Sequence, residues 1–115
     1  MPLSTRTVHN ALILDLSGRF DAAAKHEVQQ AIEQALASGT SHVILNLVGV
    51  SLIDSAALGL LVISHRKFKD RGATVSLVNP KPEVRLILDM AAMPKLIPSY
   101  NSVEEALAAH TKPPD

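Results

Sequence analysis

Asp54 and Ser55 set a carboxylate beside a hydroxyl, at the point where a strand-like apolar run gives way to a helical one. A serine hydroxyl accepts a phosphoryl group, and the first turn of a helix is a favourable place to carry it. The leading backbone N–H groups lack intrahelical partners there, and the macrodipole adds about half a positive charge. A negative group on Ser55 is therefore partly accommodated. In open α/β sheets, functional groups also gather at the carboxyl ends of strands, and this position is one. Asp54 or Ser55 also serves well as a plain helix cap, and the local sequence leaves both readings open.

The remaining reactive residues form weaker patterns. The five histidines, His9, His26, His42, His65 and His110, fall on separate elements, without a helical i, i+4 pair or a carboxylate at ligand spacing. A metal site is not expected. A hydrolase would need a base within hydrogen-bond reach of Ser55, but His65 lies more than two helical turns away and Gly-x-Ser-x-Gly is missing. No catalytic residue is assigned, and the protein is expected not to be an enzyme. No glycine-rich phosphate loop is present and no cofactor is expected. The basic stretch His65 to Arg71 suits the C-terminus of a helix, where cations complement the dipole, or else a docking patch for an acidic surface. Met90 and Met93 read as core fillers.

Composition narrows the field further. Among 115 residues, Lys+Arg and Asp+Glu number 11 each, so no net field draws the chain to a phosphate backbone. Aromatic residues make up 3% and Trp is absent, leaving little to stack on bases, so direct nucleic-acid binding is not expected. Cysteine is absent, which removes disulfides, thiolate ligands and a cysteine nucleophile. The longest apolar run, Ala56 to Ile63, is far short of the roughly 20 residues of a membrane span, and no secretory signal opens the chain. A cytoplasmic protein without membrane insertion is expected.

The elements that must position Asp54 and Ser55 alternate along the chain. An edge strand over Leu3 to Val8 leads through His9-Asn10 into a buried strand, Ala11 to Leu16, stopped by Ser17-Gly18. A helical stripe runs from Ala22 to Ala37, closed by Gly39. His42 to Leu47 reads as a strand covered on both faces, and a helix follows Asp54-Ser55 to about Arg71, ended by Gly72. Ala73 to Val78 is a further strand, Pro82 to Met90 a helix with Pro at its start, Leu96-Ile97 a last short strand, and Ser102-Val-Glu-Glu105 a capping signal for a final helix. This order predicts an α/β fold: a mainly parallel sheet with an antiparallel edge strand and about four packed helices. A single domain is expected over residues 1–110, with a frayed tail at 111–115.

The helix after Ser55 is apolar on nearly every side for two turns, so either neighbouring helices enclose it or part of it is a patch for a partner. Leu58, Leu61 and Val62 share one face by helical spacing. Leu60 lies off that stripe and is the expected exposed member, contributing to partner contact with the loop before it.

Here the residues resemble a known family. Gly18-Arg19-Phe20-Asp21 resembles the Gly-x-(Leu or Phe)-Asp of STAS domains, and Val43 to Leu47 followed by Ile53-Asp54-Ser55 resembles their strand and phosphorylation loop. Gly72 to Val78, Val84 to Leu88 and Ser102 to Leu107 match the rest of the pattern, so the likeness spans nearly the whole chain. STAS domains are shared by bacterial anti-sigma-factor antagonists and the cytoplasmic tails of sulfate transporters. The resemblance implies that Ser55 is the phosphoacceptor, Asp54 its loop aspartate, and Asp21 a residue near the same loop. It departs at Ala56 and Ala57, where the family often has a second hydroxyl and then Gly. The implied function is an anti-sigma-factor antagonist that sequesters an anti-sigma factor/serine kinase through Asp21, Asp54, Ser55 and Leu60 while Ser55 is unmodified. Transcription is thereby regulated, and a phosphatase acting on phosphorylated Ser55 resets the switch. The alternatives are a STAS subunit of a membrane transport assembly and a stressosome scaffold component.

Overall fold

A computed structural model describes residues 2–111. Strand β1 (Leu3–Val8) pairs antiparallel with β2 (Ala11–Phe20) through the turn at His9 and Asn10. Helix α1 (Lys25–Ala37) crosses to β3 (His42–Ile53), and α2 (Ser55–Lys69) crosses to β4 (Thr74–Val78). Helix α3 (Pro82–Met90) and a 3-10 turn (Met93–Lys95) lead to β5 (Ser99–Tyr100), and α4 (Val103–Thr111) closes the described chain. The sheet order is β1-β2-β3-β4-β5, with every pair after the first parallel. The expected α/β fold with an antiparallel edge and four helices is what forms. The tail beyond Thr111 lies outside the described residues.

Alternation divides the core between the two faces of the sheet. Helices α1, α2 and α3 cover Leu14, Leu16, Val43, Leu45, Val75 and Leu77 on one face. On the other, α4 alone brings Val103 and Ala106 onto Ala11, Ile13, Ile44 and Val78. That second face therefore continues past α4 as polar surface. Arg6 donates to both oxygens of Asp15 at 2.7 and 3.1 Å, Asn46 donates to Asp15 at 2.9 Å, and Asn79 donates to Asn46 at 3.3 Å. The hydrogen bond from Arg6 is the main reason the Asp15 carboxyl lies below its ordinary range.

Three strand boundaries differ from the reading of the sequence. Strand β2 does not stop at Ser17-Gly18. Its pairing with β3 shifts register there and resumes, with Gly18 at φ 87, a value that glycine adopts without a Cβ penalty. Strand β3 likewise runs on past Leu47 to Ile53. The last strand is Ser99–Tyr100 rather than Leu96-Ile97. Pro98 has no N–H to donate, so the ladder begins at its carbonyl, which accepts from Leu77 at 3.0 Å, while Ile97 is fully buried as a loop residue.

Candidate functional site

The site is assembled by the irregular halves of β2 and β3. After the register shifts, Phe20 pairs with Ile53, and the Asp54 N–H donates to the Phe20 carbonyl at 3.3 Å. Two loops, one leading to α1 and one to α2, thus leave the sheet side by side. The backbones come so close beneath them that a Cβ on Gly49 would lie 2.8 Å from Ser17 Cβ and 2.9 Å from the Leu16 carbonyl. Only glycine fits that position without movement of the main chain.

Asp54 is the helix cap. In extended conformation, φ −119° and ψ −176°, its Oδ1 accepts from the Ala57 N–H at 3.1 Å. Its Oδ2 accepts from the Ala22 N–H at 3.2 Å, which ties the neighbouring loop to the start of α2. Asp21 shapes that neighbouring loop. Its carboxylate and carbonyl both accept from the Ala24 N–H, at 3.2 and 3.1 Å, and the carbonyl also accepts from Lys25 at 3.0 Å. This turn delays α1 to Lys25, where the sequence pattern starts it at Ala22. Arg19 stands 3.8 Å from Asp21 Oδ2 at the exposed edge.

With Asp54 occupied as cap, Ser55 is the first residue of α2 and is exposed, and its hydroxyl has no hydrogen bond among the described residues. No acidic residue stands in the first turn of α2 to oppose an added negative charge. Asp21, Asp54 and Ser55 therefore gather at one end of the sheet, joined through the Asp54–Ala22 bond.

Leu60 does not belong with them. It is 3% exposed and packs in the core with Ile32 and Ala35 of α1. The expectation that it is the exposed apolar residue of α2 is corrected. The buried face of the helix is Ala57, Leu60, Leu61, Ser64 and Phe68, with Leu60 also at the groove against α1, so it is rotated from the stripe of Leu58, Leu61 and Val62, of which only Leu61 is fully buried. The exposed apolar residue is Ile63, at 49%. It was findable from Ser55 itself: positions 55, 59 and 63 recur at i, i+4 and i+8 on one helix face, and all three are exposed.

The other candidates scatter. Among the described residues no group of three or more His, Asp or Glu could hold a metal ion. His42 is buried at the opposite end of β3, its Nε2 2.7 Å from Ser76 Oγ and its ring centroid 4.3 Å from that of His110. In the basic stretch, Lys67 pairs with Glu33 of α1 at 3.3 Å, and the last turn of α2 carries Arg66, Lys67 and Lys69 as a dipole-complementing face. No helix among the described residues is long and apolar enough to cross a membrane.

A family profile described as STAS domain matches residues 2–106. The chain is 27% identical over 97 residues to an anti-sigma F factor antagonist of Paenibacillus polymyxa, covering 84% of this chain and 83% of that one. An anti-sigma factor antagonist from Mycobacterium paratuberculosis superposes with a TM-score of 0.85 at 20% identity, over 94% of this chain and 92% of the other. SpoIIAA of Bacillus, an anti-sigma factor antagonist, superposes in its unphosphorylated form with a TM-score of 0.84 at 21% identity, over 99% of this chain and all of that one, and is also known in a phosphorylated form.

Proposed function

Because the chain belongs to the STAS-domain family, we propose that it is an anti-sigma-factor antagonist whose binding to an anti-sigma factor is switched by phosphorylation of Ser55. The observation that carries this reading is the division of labour at the start of α2. Asp54 caps the helix and Ser55 is left exposed with a free hydroxyl. The names of the curated relatives supply the class of partner.

The energetics suit a switch. Phosphate adds about −1.5 to −2 charges and three acceptor oxygens. At the exposed helix start its effect on folding is about 0.3–1 kcal/mol, and favourable, because the dipole is complementary. In a desolvated contact the same unpaired charge costs roughly 2–5 kcal/mol. Binding responds far more than folding does. The docking surface in this reading runs from Asp21 and Asp54 across Ser55 and along the outer face of α2 to Ile63. The partner is an anti-sigma factor that is also a serine kinase, taking the phosphoryl group from ATP, and a separate phosphatase restores the hydroxyl. The protein acts by binding and catalyses nothing itself.

The test is incubation with the cognate anti-sigma kinase and ATP, followed by peptide mass spectrometry and affinity measurement. Phosphate is expected on Ser55, with Ser55→Ala unmodified but still binding and Ser55→Glu binding at least about 30-fold more weakly, the equivalent of 2 kcal/mol. Phosphate recovered reproducibly elsewhere, with Ser55 bare, overturns the assignment. Undiminished binding by Ser55→Glu removes the switch.

A further inference from the structure

An open cleft lies far from Ser55. It holds about 580 Å³ beside α4, at the amino ends of β2 and β3, within the size range of small-molecule sites. Twelve residues of β3 separate the two ends of the sheet, roughly 35 Å at strand rise. Val8, Ala11 and Leu107 give the cleft an apolar lining, while His9, Asn10, Ser41 and His110 supply its polar groups. No Asp, Glu, Lys or Arg side chain lines it. With no carboxylate, ammonium or guanidinium in its lining, the cleft holds no fixed charge to pair with a charged ligand and suits an uncharged one.

The hydrogen bonds define the ligand further. Ser41 Oγ donates to the Asn10 carbonyl at 3.2 Å, and its remaining contact is His110 Nε2 at 3.3 Å. With its own proton committed, Ser41 Oγ accepts from His110, which places the imidazole proton on Nε2. In that tautomer Nδ1 is the acceptor of the ring, and it has no hydrogen bond among the described residues. Behind His110 lies His42, 1% exposed, whose Nδ1 is the buried side-chain polar atom left without a partner. His42 does not line the cleft, and the ring nitrogen that its wall leaves without a hydrogen bond among the described residues is His110 Nδ1.

We propose that this cleft is a binding site for a small, uncharged, largely apolar molecule carrying one hydroxyl or N–H donor, held by Val8, Ala11 and Leu107 and hydrogen-bonded to His110. Because the site is separate from the Ser55 loop, the proposal does not depend on the switch.

The probe is p-cresol, a flat apolar ring with one phenolic donor, titrated into isotopically labelled full-length protein and followed by backbone amide shifts. Two analogues accompany it: 4-methylanisole, which lacks the donor, and 4-methylbenzoate, which is charged. Saturable shifts are expected at residues 8–11, 41 and 107–110 and not at 54–63, with a dissociation constant of about a millimolar for so few atoms. Each analogue should bind at least about tenfold more weakly, since a donor left unmade or a charge left unpaired costs a kcal/mol or more. Ala108→Trp, which fills the cleft from an exposed helix position, should abolish the shifts, and Ala109→Trp on the same helix should not. Thermal melting of both variants separates loss of the site from loss of the fold, and the analogue series on the unaltered protein stands whatever the variants do. Absence of saturation, shifts centred on the Ser55 loop, or equal binding of all three compounds overturns the proposal.

Discussion

Just past the carboxyl end of strand β3 lies Ser55, the proposed phosphate acceptor, and at its amino end lies the imidazole of His42, and the two ends treat charge in opposite ways. At the carboxyl end, Ser55 is exposed at a helix start, with the neighbouring carboxylate already spent on capping α2 and tethering Ala22. A phosphate there meets water and unpaired N–H groups. At the amino end, His42 is buried among Ser76 and His110, and burial, with His110 as a lesser cause, pushes its pKa down to about 4. A proton there meets an apolar core. One strand therefore carries a position where charge is cheap to the fold and one where it is costly. Only the first can serve as a covalent switch without unfolding the domain.

The sharpest way to break this comparison is to place a charge on purpose. Leu60→Glu buries a carboxylate between α1 and α2 and should cost more than about 3 kcal/mol, with loss of cooperative melting. Ile63→Glu, one turn along on the exposed face, should change stability by no more than about 0.5 kcal/mol. If thermal melting shows the two equally damaging, the outer face of α2 is not free. The next effect is the pH dependence at the other end. The folded pKa of His42, about 4, lies below its ordinary value of 6.5, so the unfolded chain takes the proton first as pH falls. Stability is complete above about pH 6.5 and declines between there and pH 4, by about 2 kcal/mol at pH 5. Urea unfolding at pH 7.5 and pH 5 measures it, and His42→Gln should remove most of the slope in this window.

Smaller still is Asp54→Ala, which removes the cap of α2 and the tie to Ala22. A loss of about 1–2 kcal/mol is expected in urea unfolding. Amide exchange should quicken around Ala22 as well as at Ala57, and exchange confined to α2 would show that the two loops are not coupled. The least effect is that of a charge at Ser55 itself. Ser55→Glu should alter the unfolding free energy by less than about 1 kcal/mol in either direction, with added salt reducing the change.

Much of this arrangement was legible in the chain. The alternation of strand-like and helix-like runs predicts the parallel sheet, and Pro82 marks the start of α3 where it forms. The Ser102-Val-Glu-Glu105 signal forms as a cap: Ser102 Oγ accepts from Glu105 N–H at 3.0 Å, while the Glu105 side chain accepts from Asn101 at the same distance. The Asp54-Ser55 pair could be placed at a strand-to-helix junction, but not which of the two caps. Both residues cap well in isolation, and the choice follows from the extended backbone of Asp54 and its second acceptor bond to Ala22, 32 residues away in sequence.

What the sequence determined by itself is whatever depends on near neighbours: the period of each apolar run, the turns at Gly39 and Gly72, and the start of α2. Three features were decided only by tertiary structure. Strand β2 runs on through Ser17-Gly18, which reads as a stop, and β3 runs on past Leu47, because each supplies the other with a partner across the register shift. Leu60 is core rather than surface, because α1 lies against a side of α2 that the pattern of one helix leaves unassigned. His42 is buried, because α4, more than 60 residues later in the chain, folds back over the start of β3. In each case the deciding contact joins segments distant in sequence. Local patterning encodes which residues prefer burial, but the surface that buries them exists only once the sheet has formed.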